Sequence, residues 1–278
     1  MNVLSLFDGM SCGQIALDQL GIKVDNYFAS EIKETAIKVT KDNYPNTKHI
    51  GSVEFVTKEM FFNYKIDLLI GGSPCQDLTI INNKKEGLNG SKSRLFYEYL
   101  RVLKEIKPKY FLLENVASMK NSDKNIITKL LGVEPILINS DLVSAQHRRR
   151  LYWTNIPNIE QPKNKNIFLK DVINYSNGRE ENMSDKKIAF IKRKLPTMYV
   201  RVDGDKSLPI TAKGYSAWNT QFITLPSGEL RDLTLSEYKE LQTIPSSYKI
   251  DLIKSKATDL IGDGWTVDVI KHIFKNII

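Results

Sequence analysis

The stretch Asp67-Leu68-Leu69-Ile70-Gly71-Gly72-Ser73-Pro74-Cys75-Gln76 constrains the fold of this 278-residue chain more than any other. A short apolar run that stops at paired glycines reads as a buried strand with an abrupt end, which puts Cys75 on a loop at the strand's carboxyl edge. Open α/β sheets bind their ligands at that edge. Pro74 stiffens the backbone ahead of the cysteine, and polar neighbours follow it. Alone, the stretch leaves two readings open: a small buried hydrophobe, the usual state of a free cysteine, or a nucleophile.

Two cysteines and three histidines offer neither a disulfide framework nor a zinc spacing, so no metal is expected and a reducing compartment is the default. No apolar run reaches the ~18 to 20 residues of a membrane helix, and no basic region precedes an apolar one at the start. The expected location is the cytoplasm, with no membrane partner. The net charge of +8 favours an anionic partner. It is uneven: Pro157 to Arg231 holds 13 Lys and Arg against 8 Asp and Glu, most of the excess in about a quarter of the chain.

Taken in order, Asn2 to Phe7 reads as a first strand, followed by the turn Phe7-Asp8-Gly9-Met10-Ser11-Cys12-Gly13 and a helix carrying Ile15, Ala16 and Leu20. Such a turn lets backbone N–H groups approach a ligand at a helix amino end. Tyr27 to Ser30 is a second strand with Glu31 at its edge, where a ribose-binding acid belongs in a dinucleotide-type unit; capping the next helix is the structural alternative. After Cys75, the polar, glycine-bearing stretch from Asn82 to Lys92 suits a lid over substrate, or a solvated turn. A helix over 95–106 ends at Pro108, and Tyr110 to Leu113 is a buried strand delivering Glu114 and Asn115 to the same edge. Glu134 to Asn139 is a further strand. In Gln146-His147-Arg148-Arg149-Arg150, alternation turns Arg148 and Arg150 to one face. Pro157 opens a change of character, with a helix over 184–195 and β-like pieces from Tyr199 to Ile223. Leu233 to Leu241 is helical, and Asp263-Gly264-Trp265 leads into a closing helix.

These pieces, in this order, resemble the DNA (cytosine-5)-methyltransferase family. Phe7-Asp8-Gly9 with Gly13 is similar to its S-adenosylmethionine motif, Ser73-Pro74-Cys75-Gln76 to its nucleophile loop, Glu114-Asn115-Val116 to its acidic motif, and Gln146, Arg148 and Arg150 to its Q-x-R-x-R. Arg231-Asp232-Leu233-Thr234 through Leu241-Gln242 and Pro245 resembles its ninth motif. Ala29-Ser30-Glu31, Arg94-Leu95-Phe96 and Gly264-Trp265 look closest to the animal de novo branch. That branch's large regulatory modules do not occur in these 278 residues, and the abundance of Lys, Ile and Asn suggests a compact prokaryotic or phage-like form.

The resemblance implies an α/β fold: a Rossmann-like S-adenosylmethionine-dependent methyltransferase sheet with a small, mainly β target-recognition lobe. It divides the chain into a catalytic domain over 1–156, the basic lobe over 157–231 and a return to the catalytic domain over 232–278. It implies transfer of methyl from S-adenosylmethionine to C5 of a flipped-out cytosine, with Cys75 attacking C6. Glu114, kept protonated by burial, would donate toward N3, Arg150 would hold O2, and Arg148 would brace Glu114 or the loop. For the methyl donor, Phe7, Asp8, Gly9, Met10, Ser11, Cys12 and Gly13 would hold the methionine portion and Glu31 the ribose. Ile32, Ser52 and Val53 would lie at adenine, with Leu95, Asp263, Gly264 and Trp265 completing the pocket. Ser52 departs from the usual aspartate, and Asp263 from the usual asparagine or arginine, which puts the donor set at adenine in doubt. Double-stranded DNA is the implied partner, read between Pro157 and Arg231; Lys192, Arg193 and Lys194 read first as an exposed helix face. A transfer RNA substrate, a nonenzymatic accessory role, a homo-oligomer and a cognate restriction nuclease stay open.

Overall fold

The computed structural model describes residues 1–74, 95–176, 183–195, 200–217 and 220–277. Cys75, the expected lid from Asn82 to Lys92, the Asn177-Gly178 turn and Tyr199 lie outside the described residues.

The elements follow as β1 (Asn2–Leu6), α1 (Cys12–Gln19), β2 (Asn26–Ser30), α2 (Glu34–Asn43), β3 (Lys48–His49), β4 (Leu68–Gly71), α3 (Leu95–Ile106), β5 (Tyr110–Val116), α4 (Asn121–Leu131), β6 (Ile136–Asn139) and β7 (Arg149–Thr154). Then come α5 (Leu169–Val172), α6 (Asp185–Lys194), β8 (Arg201–Val202), α7 (Gly214–Ala217), β9 (Gln221–Thr224), β10 (Leu230–Asp232), α8 (Leu235–Leu241), α9 (Lys254–Asp263) and α10 (Val267–Phe274).

The large sheet runs β3-β2-β1-β4-β5-β7-β6. The pairs from β3 to β5 are parallel, and β7 runs antiparallel to β5. Val3, Leu4, Leu68, Leu69, Ile70, Leu112 and Leu113 are buried, as strands covered on both faces must be, which is why these runs do not alternate. The strand order reverses between β1 and β4, so the ligand crevice of such a sheet opens beyond the carboxyl ends of these two strands. Gly71 closes β4 there: a Cβ would sit 3.0 Å from both the Leu6 carbonyl oxygen and the Tyr99 ring.

Two differences from the sequence reading have physical causes. The fourth apolar run extends through Glu114, Asn115 and Val116, because β7 supplies pairing partners from distant sequence for these residues. Helix α4 lacked an apolar pattern strong enough to announce it. Only Asp123 and Ile127 of it are buried, and it ends at Gly132 in the left-handed conformation, φ +72°.

The chain forms two compact units, one of residues 1–138, 149–161 and 271–278, the other of 139–148 and 162–270. The second contains the three-stranded sheet β10-β9-β8. Helix α6 starts at Ser184, whose hydroxyl accepts from the Lys187 N–H, and α8 starts at a capping box of Thr234 and Glu237. Arg231 is fully buried and donates to both carboxylate oxygens of Glu237, at 2.7 and 2.8 Å. No helix among the described residues is long and apolar enough to cross a membrane.

Candidate active site

In the first unit, the polar groups gather at the carboxyl edge of the sheet. The β1–α1 turn is folded tightly, with Phe7, Gly9 and Ser11 at φ +57°, +58° and +57°. Two non-glycine residues in that region store strain of a kind concentrated at ligand clamps. Helix α1 carries no side-chain cap, an arrangement that suits an anion at a helix amino end. The Asp8 carboxylate sits beneath this turn, accepting from the Tyr27 hydroxyl at 2.8 Å and from the Ser11 hydroxyl. Burial pushes the Asp8 carboxyl up to about 6 against these hydrogen bonds. Met10, Ser11, Cys12 and Gly13 are buried.

Glu31 holds its own strand end and the turn after β1, while helix α2 carries no side-chain cap. One oxygen accepts from the Ile32 and Lys33 N–H groups at 2.8 Å, the other from the Gly9 N–H at 2.8 Å, tying the turn after β1 to the end of β2. Ile32 beside it is 73% exposed, an apolar group with no protein cover at the rim of the site. Val53 is buried, and Ser52 accepts from the Glu54 N–H at the head of a short 3-10 turn. Arg101 holds that turn through the Val53 and Val56 carbonyls, at 3.1 and 2.8 Å, while Glu98 and Glu105 fix its guanidinium. Leu95 opens α3 and packs on the main core. The tight turn, the uncapped helix, the exposed Ile32 and the carboxylate at the β2 edge fit a small ligand with a carboxylate, a ribose and a flat ring.

Glu114 and Arg150 meet by strand register. Val116 faces Arg150 and Glu114 faces Tyr152, so Glu114 and Arg150 share one face as diagonal neighbours, and Arg150 Nε lies 2.8 Å from Glu114 Oε1. Asn115, on the opposite face, donates from its amide to the carbonyl and hydroxyl of Ser73, two residues before Cys75. Sequence reasoning named the Glu-Asn-Val motif but missed this clamp, as it missed Tyr27 and Arg101.

The second unit holds Arg148, Asp263, Gly264 and Trp265. Arg148 braces backbone: it donates to the carbonyls of Ile210, Gly262 and Gly264 at 2.6, 3.1 and 2.8 Å. The sequence expectation gave it Glu114 or the loop as partner. Three fixed carbonyls match the fork of a buried guanidinium, which needs several acceptors. Gln146 joins the same scaffold, donating to the Leu241 carbonyl and the Gln242 side chain and accepting from the Ile210 N–H. Two lysines of this unit are also held internally. Lys187 pairs with Asp232, and Lys206 donates to the Asp141, Ser144 and Ile167 carbonyls. No group of three or more His, Cys, Asp or Glu among the described residues could hold a metal.

Comparison with known proteins decides the family. The model of the C-5 cytosine-specific DNA methylases matches residues 1–193 and 145–278. The chain belongs to this family. The orphan methyltransferase M.SPRI of Bacillus phage SPR is 32% identical over 56% of this chain and 38% of that protein. The chain likewise spans only 32% of M.Rho11sI of Bacillus phage rho11s, another orphan methyltransferase. The type II methyltransferase M.HpaII of Haemophilus parainfluenzae is 25% identical over 99% of this chain and 88% of its own. The fold is shared with a Spodoptera frugiperda DNMT2 variant, at TM-score 0.80 and 20% identity over 99% of both chains. The methylase family and this fold use S-adenosylmethionine as methyl donor, which the turn after β1 suits.

Proposed function

We propose that the chain methylates cytosine at C5 in double-stranded DNA. The observation that carries this reading is the placement of the Glu114–Arg150 pair and the Asn115-anchored entry to Cys75 on neighbouring strands at one sheet edge. Cytosine C5 is a poor nucleophile until the ring is activated. The Cys75 thiolate bonds to C6, and the electron pair moves toward N3 and C5. Glu114 supplies the proton or donor at N3, and Arg150 holds O2. S-adenosylmethionine, when bound, supplies the methyl group that C5 takes up. Loss of the C5 proton then regenerates the ring double bond and expels the thiolate.

The methionine portion lies along Phe7 to Gly13, the ribose at Glu31, and adenine by Ile32, Ser52, Val53 and Leu95. Arg148 acts as a positioning residue through the turn at 262–264. The target base must be flipped from the duplex at a cost of a few kcal/mol. Phosphate contacts from the 157–231 lobe offset that cost and make binding salt-sensitive. The bacterial or phage-infected cytoplasm is the proposed setting.

Incubation with radiolabelled S-adenosylmethionine and either duplex DNA or tRNA tests the substrate. Label in DNA is expected, and label only in tRNA overturns the reading. A 5-fluorocytosine duplex should form an adduct that Cys75→Ser abolishes.

A further inference from the structure

A cleft of about 700 Å³ opens on the first unit away from the crevice, lined by Lys58, Glu59, Phe62, Asn63, Tyr64, Lys65, Ile106 and Lys107 among others. Its walls are the segment entering β4 and the end of α3 leading to β5, so it lies at the amino edge of these parallel strands. The active-site residues sit at their carboxyl edge, about 13 Å away for a four-residue strand.

Three features of the cleft are chemically specific. Lys58, Lys65 and Lys107 are exposed, and none is in an ion pair among the described residues, against the single carboxylate of Glu59. Phe62 is 91% exposed, a full aromatic face presented to water beside these cations. Tyr64 is already covered by the Lys48 ammonium, 4.4 Å from its ring centroid, which leaves Phe62 as the open ring. Unpaired cations around an uncovered aromatic ring match a ligand that carries both phosphate and a flat base.

We propose that this cleft is a second nucleic-acid contact, which stacks one unpaired base of a single strand on Phe62 and takes flanking phosphates at Lys58, Lys65 and Lys107. It engages a strand at a distance from the target cytosine and is independent of the chemistry at Cys75. A free nucleotide shares the same chemistry, so the test separates the two sources.

The test uses the full chain with fluorescein-labelled dT12, which has no cytosine, and separately with AMP. Phe62→Ala is expected to weaken dT12 binding about tenfold, in the range of losing one base stack. The combined Lys58→Ala/Lys65→Ala/Lys107→Ala variant should lower the salt slope of log K by about 2. Methyl transfer to a short blunt duplex should stay within twofold of wild type for both variants, which also shows that they are folded. Unchanged dT12 affinity and salt slope overturn the site. An effect of Phe62→Ala on AMP alone overturns the strand as its occupant.

Discussion

The side-chain amide of Asn115 donates to both oxygens of Ser73, 3.3 Å to the carbonyl and 3.2 Å to the hydroxyl, joining β5 to the backbone that leads into Cys75. Its own carbonyl oxygen accepts from the Val116 N–H at 2.8 Å, which fixes the direction of the amide. Both residues are buried, so removing the amide strands two acceptors without water. Asn115→Ala is expected to cost about 1 to 3 kcal/mol. It should also lower kcat for methyl transfer more than it raises KM for S-adenosylmethionine, because it loosens Ser73, two residues ahead of the proposed nucleophile Cys75, and leaves the β1–α1 turn untouched. Denaturant midpoints and steady-state kinetics check both, and an equal rise in KM with kcat intact would remove the clamp from the mechanism.

The Glu114–Arg150 pair is mostly buried, with 11% and 16% of the side chains exposed. Arg150→Met leaves the carboxylate without its partner and is expected to destabilise by about 2 kcal/mol, whereas Glu114→Gln/Arg150→Met should cost less than the sum of the single changes. Glu114→Gln keeps the shape but not the acid, and a loss of about 10² to 10⁴ in single-turnover methyl transfer is expected. A Glu114→Gln enzyme within tenfold of wild type would show that N3 is served by another group.

Asp8 adds a pH dependence whose sign is fixed by its environment. Its folded value, about 6, lies above the ordinary 3.8, so the folded state holds the proton more tightly than the unfolded chain does. The contribution to stability is therefore full below about pH 4 and is lost as pH rises through about 6, by at most about 3 kcal/mol and less because the side chain is partly open to water. Asp8→Asn should flatten the difference between urea midpoints at pH 4.5 and pH 7.5. An unchanged difference would assign the pH dependence elsewhere.

The carboxyl-edge placement of Glu31, Ser73 and Glu114 was legible in the chain, because each follows or ends an apolar run whose burial dictates a strand. The parts that escaped depend on pairing between distant segments. Nothing local to Glu114-Asn115-Val116 says that β7 will extend the strand through them, and nothing in Asn115 names Ser73 as its partner. The count of charge between Pro157 and Arg231 likewise says nothing of which side chains are paired inside the unit. Arg231, Lys187 and Lys206 are held by Glu237, Asp232 and three carbonyls, partners that a count of charges along the chain does not reveal.

Gly262 permits the contact that organises the second unit. A Cβ there would lie 2.4 Å from the Thr211 carbonyl carbon and 2.5 Å from the Ala212 nitrogen, and both are backbone atoms that no rotamer change can clear. The Gly262 and Gly264 carbonyls are acceptors for Arg148, so the separation forced by a methyl group also pulls these bonds apart. Gly262→Ala is therefore expected to cost more than about 3 kcal/mol, at the high end for overpacking. Arg148→Lys retains the charge but replaces the two terminal nitrogens that serve Ile210 and the Gly262–Gly264 pair separately with one ammonium on a shorter reach, and about 2 kcal/mol is expected. Because the two substitutions break the same contact, the double variant should fall short of additivity by at least about 1 kcal/mol in chemical denaturation. Strict additivity would mean that Arg148 and Gly262 stabilise the unit separately.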